Sequence, residues 1–487
     1  MKQSHPKGLY VLFFAEMWER FSFYGMRALL VLYMTKHLFY SDIKSYGVYG
    51  AYGALVYAFP VLGGILADRL LGYRNAIILG GLLMALGHFC MAVPNEVAFY
   101  CALGLLCLGN GFFKPNVSSI VGKLYAEGDP RRDAGFTIFY MGINLGAFLS
   151  PLVCGFIGET FGWHYGFAIA GFGMLAGLGC FIRGQKYLEG HGAPPEPARL
   201  KKHLFAGLST ASSLYVACAL AVPLIALALK NNQVIGGSLY VVATLILGFL
   251  FYTAFTSDKV ARGRLLVVIV LMFFHTTFWA FFEQAGSSLQ LFSDRNVNLM
   301  IFGWRMPASL TQSLNPLFII ALAPLFSKMW IALQARRAQP SIPVKFIWGL
   351  IQVGLGFGAL VVGAMFAKNG ITALIWLVLA YLLHTTAELC LSPVGLSAVT
   401  KLAPAKAVGT VMGAWFLSMS FGQHFAAAIA KLTQVQSEAS LGALINPVQS
   451  LAAYTGVFRD ICWVALGVAG ILLLFTPFLK RWMHGVE

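Results

Sequence analysis

The sequence from Leu9 to Met34 reads LYVLFFAEMWERFSFYGMRALLVLYM. This run is longer than the ~20 residues that a helix needs to cross a bilayer, and it is too long and too charged for a cleaved signal peptide. Its interior carries four charges: Glu16, Glu19, Arg20 and Arg27. A charge at membrane depth costs about 2.5–3.5 kcal/mol even on lenient scales, so this stripe cannot face lipid. The stretch therefore predicts a transmembrane helix that lines a polar interior.

The composition of the whole chain places it in a membrane. Of its 487 residues, 59% are apolar and only 11% are charged, whereas soluble domains average about 45–50% and about 25%. A soluble enzyme and a disordered chain are excluded. The net charge of +16 is typical of basic residues retained in cytoplasmic loops, and it does not indicate nucleic-acid binding. We expect an all-α polytopic membrane protein whose surroundings are the lipid bilayer.

Apolar windows separated by charged or Pro- and Gly-rich breaks predict fourteen transmembrane spans. Their limits are 9–36, 45–71, 75–94, 97–122, 134–158, 164–183, 204–229, 234–256, 265–291, 313–333, 343–366, 371–400, 406–431 and 455–479. The longest polar connector, 184–203, separates the first six spans from the rest. We predict a six-helix bundle over 1–183, a linker with two extra helices over 184–264, and a second six-helix bundle over 265–487.

Basic residues in the loops predict the orientation. With the N-terminus inside, the inside segments hold 23 Lys and Arg residues and the outside loops hold 8. Because cytoplasmic loops carry the excess of basic residues, both termini are predicted to be cytoplasmic.

A short inside loop carries a motif with a fixed acid. Residues 64–74 read GILADRLLGYR, a G-x-x-x-D-R-x-x-G-x-R pattern that resembles the loop 2–3 signature of the major facilitator superfamily. Asp68, followed by Arg69, could pair with basic groups or with a helix N-terminus and so hold one conformation. We expect a conformational hinge here, because a loop that only sets the topology needs neither the acid nor the glycines.

Charges and amides inside other spans indicate a polar cavity. Lys114, Glu283 and Glu388 join the four charges of the first span, giving four acids and three bases. Such a set is not neutral unless one carboxylate binds a proton, which predicts a proton-coupled site. Polar and aromatic residues of the same spans are candidates for the cavity wall: Tyr24, Tyr57, Asn144, Trp279, Asn315, Ser392 and Trp415.

Five segments, in order along both halves, resemble one family. Residues 16–25 (EMWERFSFYG) look like the ExxERFxYYG signature of the proton-dependent oligopeptide transporters, and 139–146 (FYMGINLG) look like their FYxxINxG motif. Residues 109–116, 278–284 and 388–396 are similar to further family segments. The layout of six, two and six helices is that of the bacterial branch, which implies the major facilitator fold and the bacterial inner membrane.

The resemblance implies proton-driven uptake of di- and tripeptides by alternating access, without a metal or another cofactor, by a protein expected to be a monomer. Glu19 and Lys114 would form the proton-linked pair beside Arg20, with Glu16 and Glu283 in the same network. The peptide's C-terminal carboxylate would meet Arg27 and Lys114, and its α-amino group would meet Glu388 and Asn315. The other wall residues would bind the peptide backbone or line side-chain pockets, namely Tyr24, Tyr57, Asn144, Trp279, Ser392 and Trp415.

Two departures from the family pattern are visible. Phe23 replaces the first tyrosine of the YY pair, and the second span has no histidine where the animal relatives use one for proton coupling. His275 and His384 lie in later spans, where we expect packing or gating roles.

Other functions remain as alternatives. A relative of the same fold could carry nitrate, a drug or another peptide-like compound, although a cation at Lys114 together with an anion at Glu388 favours a zwitterion. An intramembrane enzyme is disfavoured because the chain has no HExxH motif, no GxSxG motif and no pair of aspartates deep in the spans. A channel is disfavoured because a buried ion-pair cluster would trap ions.

Overall fold

The computed structural model describes residues 4–126, 128–205, 207–404, 407–434 and 446–486. These ranges contain fourteen helices of 19 residues or more, which we number α1 to α14. They are Lys7–Lys36, Asp42–Leu66, Tyr73–Met91, Glu96–Lys123, Arg132–Ser150, Trp163–Gly184, Thr210–Lys230, Gln233–Thr256, Lys259–Phe282, Leu314–Ala335, Ile342–Met365, Leu374–Leu402, Val408–Lys431 and Pro447–Trp482. Each corresponds to one predicted span, and the protein is a multi-pass membrane protein.

By length and composition alone, eleven segments of the described chain are apolar enough to cross a membrane. One of them, Asp42–Met91, contains both α2 and α3. Helices α1 and α13 are not among the eleven. The interior of α1 carries charges, and α13 carries the polar residues Gln423 and His424. The two helices that are not apolar enough by this measure thus both carry charged or polar side chains in their interior.

Short elements interrupt or connect the long helices. Helix turns of other pitch or short helices follow α2, α5, α6 and α9, at Ala67–Leu71, Pro151–Gly155, Phe156–Phe161, Gln185–Leu188, Glu283–Gly286 and Ser288–Asn296, and two more lie at Pro197–Lys201 and Ala308–Ser313. The two-residue or three-residue strands are His203–Phe205, Leu208–Ser209, Val297–Asn298, Met300–Ile301, Trp304–Arg305 and Thr372–Ala373. All six strands lie in connections between long helices, and Thr372–Ala373 directly precedes α12.

Among the predicted span limits that differ from the ends of the α-helices, two have a local explanation, and the candidate membrane span Lys259–Asn296 still includes residue 291. The seventh span was expected to begin at residue 204, but His203–Phe205 pairs antiparallel with Leu208–Ser209 and the helix begins at Thr210. The ninth was expected to run to residue 291, but the α-helix ends at Phe282 and the chain continues as a 3₁₀ turn over Glu283–Gly286. Residues 204–208 are mostly apolar, so hydropathy alone does not mark where the seventh α-helix begins.

The chain divides into two compact units. The first comprises Met1–Tyr33 and Leu55–Asn232, and the second comprises Met34–Ala54 and Gln233–Glu487. Of the two extra helices, α7 belongs to the first unit and α8 belongs to the second. The three-part division at residues 183 and 264 stays a prediction.

Glycines set the close approach of helices in the first unit. A Cβ on Gly146 of α5 would collide with the carbonyl oxygen of Met17 on α1, and one on Gly63 of α2 would collide with that of Gly111 on α4. At both positions the backbone of the neighbouring helix leaves no room for a side chain. The glycines of the FYMGINLG segment therefore let α5 pack directly on the charged turn of α1.

Ion pairs and hydrogen bonds join residues 34–54 to the rest of the second unit. Arg295 donates to both carboxylate oxygens of Asp42, at 2.6 and 2.8 Å, and to the hydroxyl of Tyr454 at 3.1 Å. Lys36 lies 2.5 Å from Asp294. A bidentate arginine–carboxylate pair is strong and geometrically specific, which explains why this segment packs with the second unit.

One ion pair outside the membrane-spanning helices joins Arg131 to Asp129. In the connection between α4 and α5, Arg131 donates side-chain hydrogen bonds to Asp129, with Nη2 at 2.7 Å from Oδ2. These bonds, together with one from the Arg131 backbone N–H, hold the pKa of Asp129 at about 2. The Asp129 carboxylate therefore stays ionised throughout the physiological pH range.

Packing at Gly146 predicts a stability effect. Gly146→Ala should lower the unfolding temperature of the purified protein by several degrees, because overpacking against a backbone carbonyl costs about 1–3 kcal/mol or more. Gly467→Ala is the matched control, since a Cβ there meets no atom within 4 Å. Thermal unfolding followed in detergent is the measurement, and equal midpoints for the two variants would contradict the close approach of α1 and α5.

Candidate functional site

Two glutamates and one arginine form a buried ion cluster on α1. The Arg20 guanidinium pairs with Glu19 through Nε and through Nη2 at 2.6 Å, and its Nε lies 3.4 Å from Glu16 Oε1. Glu16, Glu19 and Arg20 are 2%, 0% and 3% exposed. The spacing of three and four residues places them on one helix face, as the sequence predicts. The cluster confirms that the charges of this span do not face lipid.

The two carboxylates of the cluster are not satisfied equally. Glu19 Oε1 also accepts a hydrogen bond from Asn110 Nδ2 on α4 at 3.3 Å. Glu16 Oε2 is buried and accepts no hydrogen bond from any residue that the structure describes. A buried carboxylate oxygen without a donor is costly while the group is ionised, and protonation of Glu16 would relieve that cost.

Aromatic rings lie near the other two cations of the predicted site, Arg27 and Lys114. Lys114 Nζ on α4 lies 4.7 Å from the ring centre of Tyr57 on α2. The Tyr24 ring lies 6.0 Å from the Arg20 guanidinium and 5.9 Å from that of Arg27. The charge of Lys114 also acts on Glu16. Four further predicted site residues thus lie near the α1 cluster or near one another, namely Tyr24, Arg27, Tyr57 and Lys114.

Asn144 of α5 has a more local arrangement. Its side-chain nitrogen donates to the carbonyl oxygen of Tyr140, one turn earlier, at 3.0 Å, and the residue is 5% exposed. The structure therefore gives the amide a partner within its own helix. Contact with a peptide stays a prediction for Asn144.

A second polar centre lies in the second unit, around Glu388 of α12. Asn315 Nδ2 on α10 donates to Glu388 Oε2 at 3.0 Å and to Thr385 Oγ1 at 3.1 Å. Glu388 is partly exposed, whereas Glu283 is 3% exposed and its charge acts on Glu388. Ser392 lies one turn beyond Glu388 and is also partly exposed. Asn315 and Glu388 thus lie together, while their contact with a peptide's α-amino group stays a prediction.

The two predicted tryptophans are joined by a histidine. Trp279 Nε1 donates to His275 Nε2 at 2.8 Å, and the ring of Trp415 lies 4.2 Å from that of His275. An indole nitrogen only donates, so His275 carries its proton on Nδ1, which donates to Ser418 Oγ at 2.7 Å. His275 is therefore a neutral bridge between Trp279 and Trp415, in agreement with the packing role expected for it.

The predicted hinge residues lie in one turn of π-helix. Asp68 and Arg69 belong to the Ala67–Leu71 turn and are exposed, and Tyr73 donates its hydroxyl proton to Asp68 Oδ1 at 2.5 Å. The sequence predicted a basic partner or a helix N-terminus for Asp68. Among the described residues, the hydroxyl of Tyr73 is the group that hydrogen-bonds the Asp68 carboxylate, and Gly72 ends the turn with a φ of 72°.

Sequence reasoning did not assign a role to three residues that complete these networks. Asn110 lies in the quoted 109–116 segment and is a mid-span amide, the same signal that singled out Asn144. Thr385 lies one turn before Glu388, and Ser418 lies one turn after Trp415. Helical spacing to a predicted residue would have found both.

The arrangement separates charges by unit. The first unit holds the α1 cluster and the cations Arg27 and Lys114, while the second unit holds the acids Glu283 and Glu388. Cations attract a carboxylate and an anion attracts an ammonium group, so the two units differ in the kind of charged group that they can bind.

Comparisons with known proteins identify the family. Residues 74–448 match the POT family. The chain is 39% identical to the uncharacterized transporter YclF of Bacillus subtilis, covering 99% of this chain and 96% of the relative. It is 38% identical to the peptide transporter YePEPT of Yersinia enterocolitica, again covering 99% and 96%.

Solved structures agree with this assignment. A mutant form of the peptide transporter POT in complex with alafosfalin is 39% identical, with a TM-score of 0.85 over 100% of this chain and 97% of the other. Tetrameric PepTSo2 is 29% identical, with a TM-score of 0.82 over 97% and 98%. The fold is thus that of the major facilitator type, and a chain of this kind is a transporter and not an enzyme. The protein belongs to the POT family of membrane transporters.

Proposed function

We propose that this protein is a proton-coupled symporter that imports di- and tripeptides by alternating access. The observation that carries the proposal is the α1 cluster, in which Arg20 serves two buried carboxylates and Glu16 keeps one oxygen without a donor among the described residues. One proton would neutralise the excess negative charge of the cluster. The proton gradient then supplies the energy, and the cycle needs no cofactor.

Peptide as the substrate is supported by the charges and by the relatives. Relatives are named peptide transporters, or dipeptide and tripeptide permeases. The proposal assigns the peptide's carboxylate to Arg27 and Lys114 and its α-amino group to Glu388, held in place by Asn315. Tyr24, Tyr57, Asn144, Trp279, Ser392 and Trp415 are proposed to contact the peptide backbone and side chains.

Coupling requires that protonation alters peptide binding or conformational exchange. The charge of Lys114 acts on Glu16, so a proton on Glu16 changes the field at a cation proposed to bind the peptide carboxylate. Glu283 acts in the same way on Glu388. Protonation of Glu16 would therefore change the electrostatic potential at Lys114, and protonation of Glu283 would change the potential at Glu388.

We also propose a membrane location and an oligomeric state for the protein. We place the protein in the bacterial inner membrane with both termini in the cytoplasm, because the inside segments hold 23 of the basic residues. We propose that it works as a monomer, since both sets of recognition groups are present in one chain.

Loss of the Glu19 charge should uncouple peptide transport from the proton gradient. In proteoliposomes, Glu19→Gln should abolish gradient-driven accumulation of labelled dialanine while exchange of peptide between the two sides continues. Asn110 and Arg20 can still hydrogen-bond a glutamine oxygen, so the fold is retained. Glu196→Gln, at an exposed connector residue, is the matched control. Accumulation by Glu19→Gln at the level of the wild type would refute the proton site.

Loss of the Glu388 charge should select against a free α-amino group. Glu388→Gln keeps an acceptor for Asn315 and removes the charge, so we expect at least tenfold weaker competition by dialanine and little change for N-acetyl-dialanine. Lys114→Ala should impair peptides with a free carboxylate more than C-amidated ones. Competition against labelled peptide uptake measures both effects, and equal losses for blocked and unblocked peptides would exclude the two-ended recognition.

The charge of Asp68 should affect the conformational cycle more than peptide affinity. Asp68→Asn keeps the oxygen that accepts from Tyr73, so only the charge is lost, and Tyr73→Phe removes the hydrogen bond with the charge intact. We expect Asp68→Asn to lower the maximal uptake rate severalfold with an unchanged half-saturating concentration. Kinetics combined with cysteine labelling from either side of the membrane test this. Identical kinetics and labelling in Asp68→Asn and the wild type would show that the loop only sets topology.

A further inference from the structure

A cavity of about 650 Å³ lies at one end of the second unit, and its wall on α12 begins at Val394, two residues beyond the proposed site residue Ser392. It is lined by the end of α10 and the connection that follows it, the start of α11, and the last turns of α12. Lys401 in its wall is 13 residues beyond Glu388 on α12, which corresponds to about 20 Å along a helix axis. The volume falls within the range of about 300–1,000 Å³ that small-molecule sites occupy.

The charged residues that line this cavity are all basic: Arg337, Lys345 and Lys401. Arg337 and Lys401 are exposed, but Lys345 is only 7% exposed. The charges of Lys401 and Lys345 act on each other, which is unfavourable for two cations. A buried ammonium group such as that of Lys345 is costly unless an anion compensates its charge.

No carboxylate of the described residues supplies that negative charge to Lys345. Its ammonium group lies 4.6 Å from the ring centre of Trp330, a contact that compensates only part of a buried charge. No ion pair or side-chain hydrogen bond joins Lys345 to another described residue. Its cation therefore lines the cavity with its donors available to a ligand.

The start of α11 adds a second attraction for an anion. Ser341 precedes the helix without forming a side-chain cap, and its Oγ is buried without a hydrogen-bond partner among the described residues. Ile342, the first helical residue, lines the cavity. The positive end of the α11 dipole lies here and favours an anion, although Pro343 in the first turn has no N–H to donate.

We propose that this cavity binds a phosphate group, carried either by the headgroup of an anionic phospholipid or by a soluble phosphate compound. A phosphate accepts several charge-assisted hydrogen bonds at once, which matches the ammonium group of Lys345 and the guanidinium group of Arg337 in the cavity wall. The cavity lies where three candidate membrane spans end, Ala308–Ala335, Ile342–Met365 and Leu374–Leu402, which is the level of lipid headgroups. The site goes beyond the proposed peptide transport and does not depend on it.

The test uses the full chain in phosphatidylcholine nanodiscs with two probes. Phosphatidylglycerol mixed into the disc tests the lipid source, with retained lipid counted by native mass spectrometry. Inorganic phosphate titrated against the shift in unfolding temperature tests the soluble source. Retention of phosphatidylglycerol that phosphate does not displace supports the lipid, whereas saturable stabilisation by phosphate without lipid enrichment supports the soluble compound.

Variants then assign the binding to the cavity. Lys345→Gln should weaken binding of the active probe at least tenfold, and Lys345→Arg should restore most of it. Lys368→Gln removes one exposed charge elsewhere in the second unit and should change nothing. If Lys345→Gln does not fold, the exposed Arg337→Gln carries the same comparison with an expected severalfold loss. Absence of saturable binding by either probe, or equal binding in the cavity variants and Lys368→Gln, would overturn the proposal.

Discussion

The arginine that Glu16 and Glu19 share inside α1 is the constraint on which the rest of the first unit depends. Three charged side chains on one face of a membrane helix are tolerated only where protein surrounds that face. The structure meets this requirement with close helix packing. Gly146 of α5 admits the backbone of α1 beside the cluster, and Asn110 of α4 reaches Glu19. The glycines of the sequence motifs are therefore as necessary to the site as the charged residues.

The second unit solves a related problem with hydrogen bonds instead of an ion pair. Glu388 accepts a hydrogen bond from the amide of Asn315 and lies near the charge of Glu283, and it forms no ion pair with a cation of the described residues. A carboxylate arranged in this way can accept a cationic ligand without first breaking a salt bridge. The first unit differs, because Arg20 is already committed to Glu19. This contrast suits one unit for proton exchange and the other for recognition of an ammonium group.

The sequence predicted the helices and the principal charged residues because both depend on rules that act along the chain. Fourteen apolar segments became fourteen helices, and the spacing of Glu16, Glu19 and Arg20 already placed them on one face. The partners of these residues could not be predicted, because they come from other helices. Asn110 and the His275 bridge between Trp279 and Trp415 depend on three-dimensional packing, which periodicity does not encode. The Asp68 hydroxyl partner was missed for a different reason: the Ala67–Leu71 turn brings Tyr73 close, and no motif specifies that geometry.

Movement of protons with peptide is the claim that most of this account rests on. The direct measurement is the internal pH of proteoliposomes that contain the wild-type protein and a pH-sensitive dye, recorded together with uptake of labelled dialanine and with the membrane potential clamped. The account predicts that addition of external dialanine acidifies the lumen at a rate proportional to peptide uptake. Uptake of dialanine with no change in internal pH would contradict it.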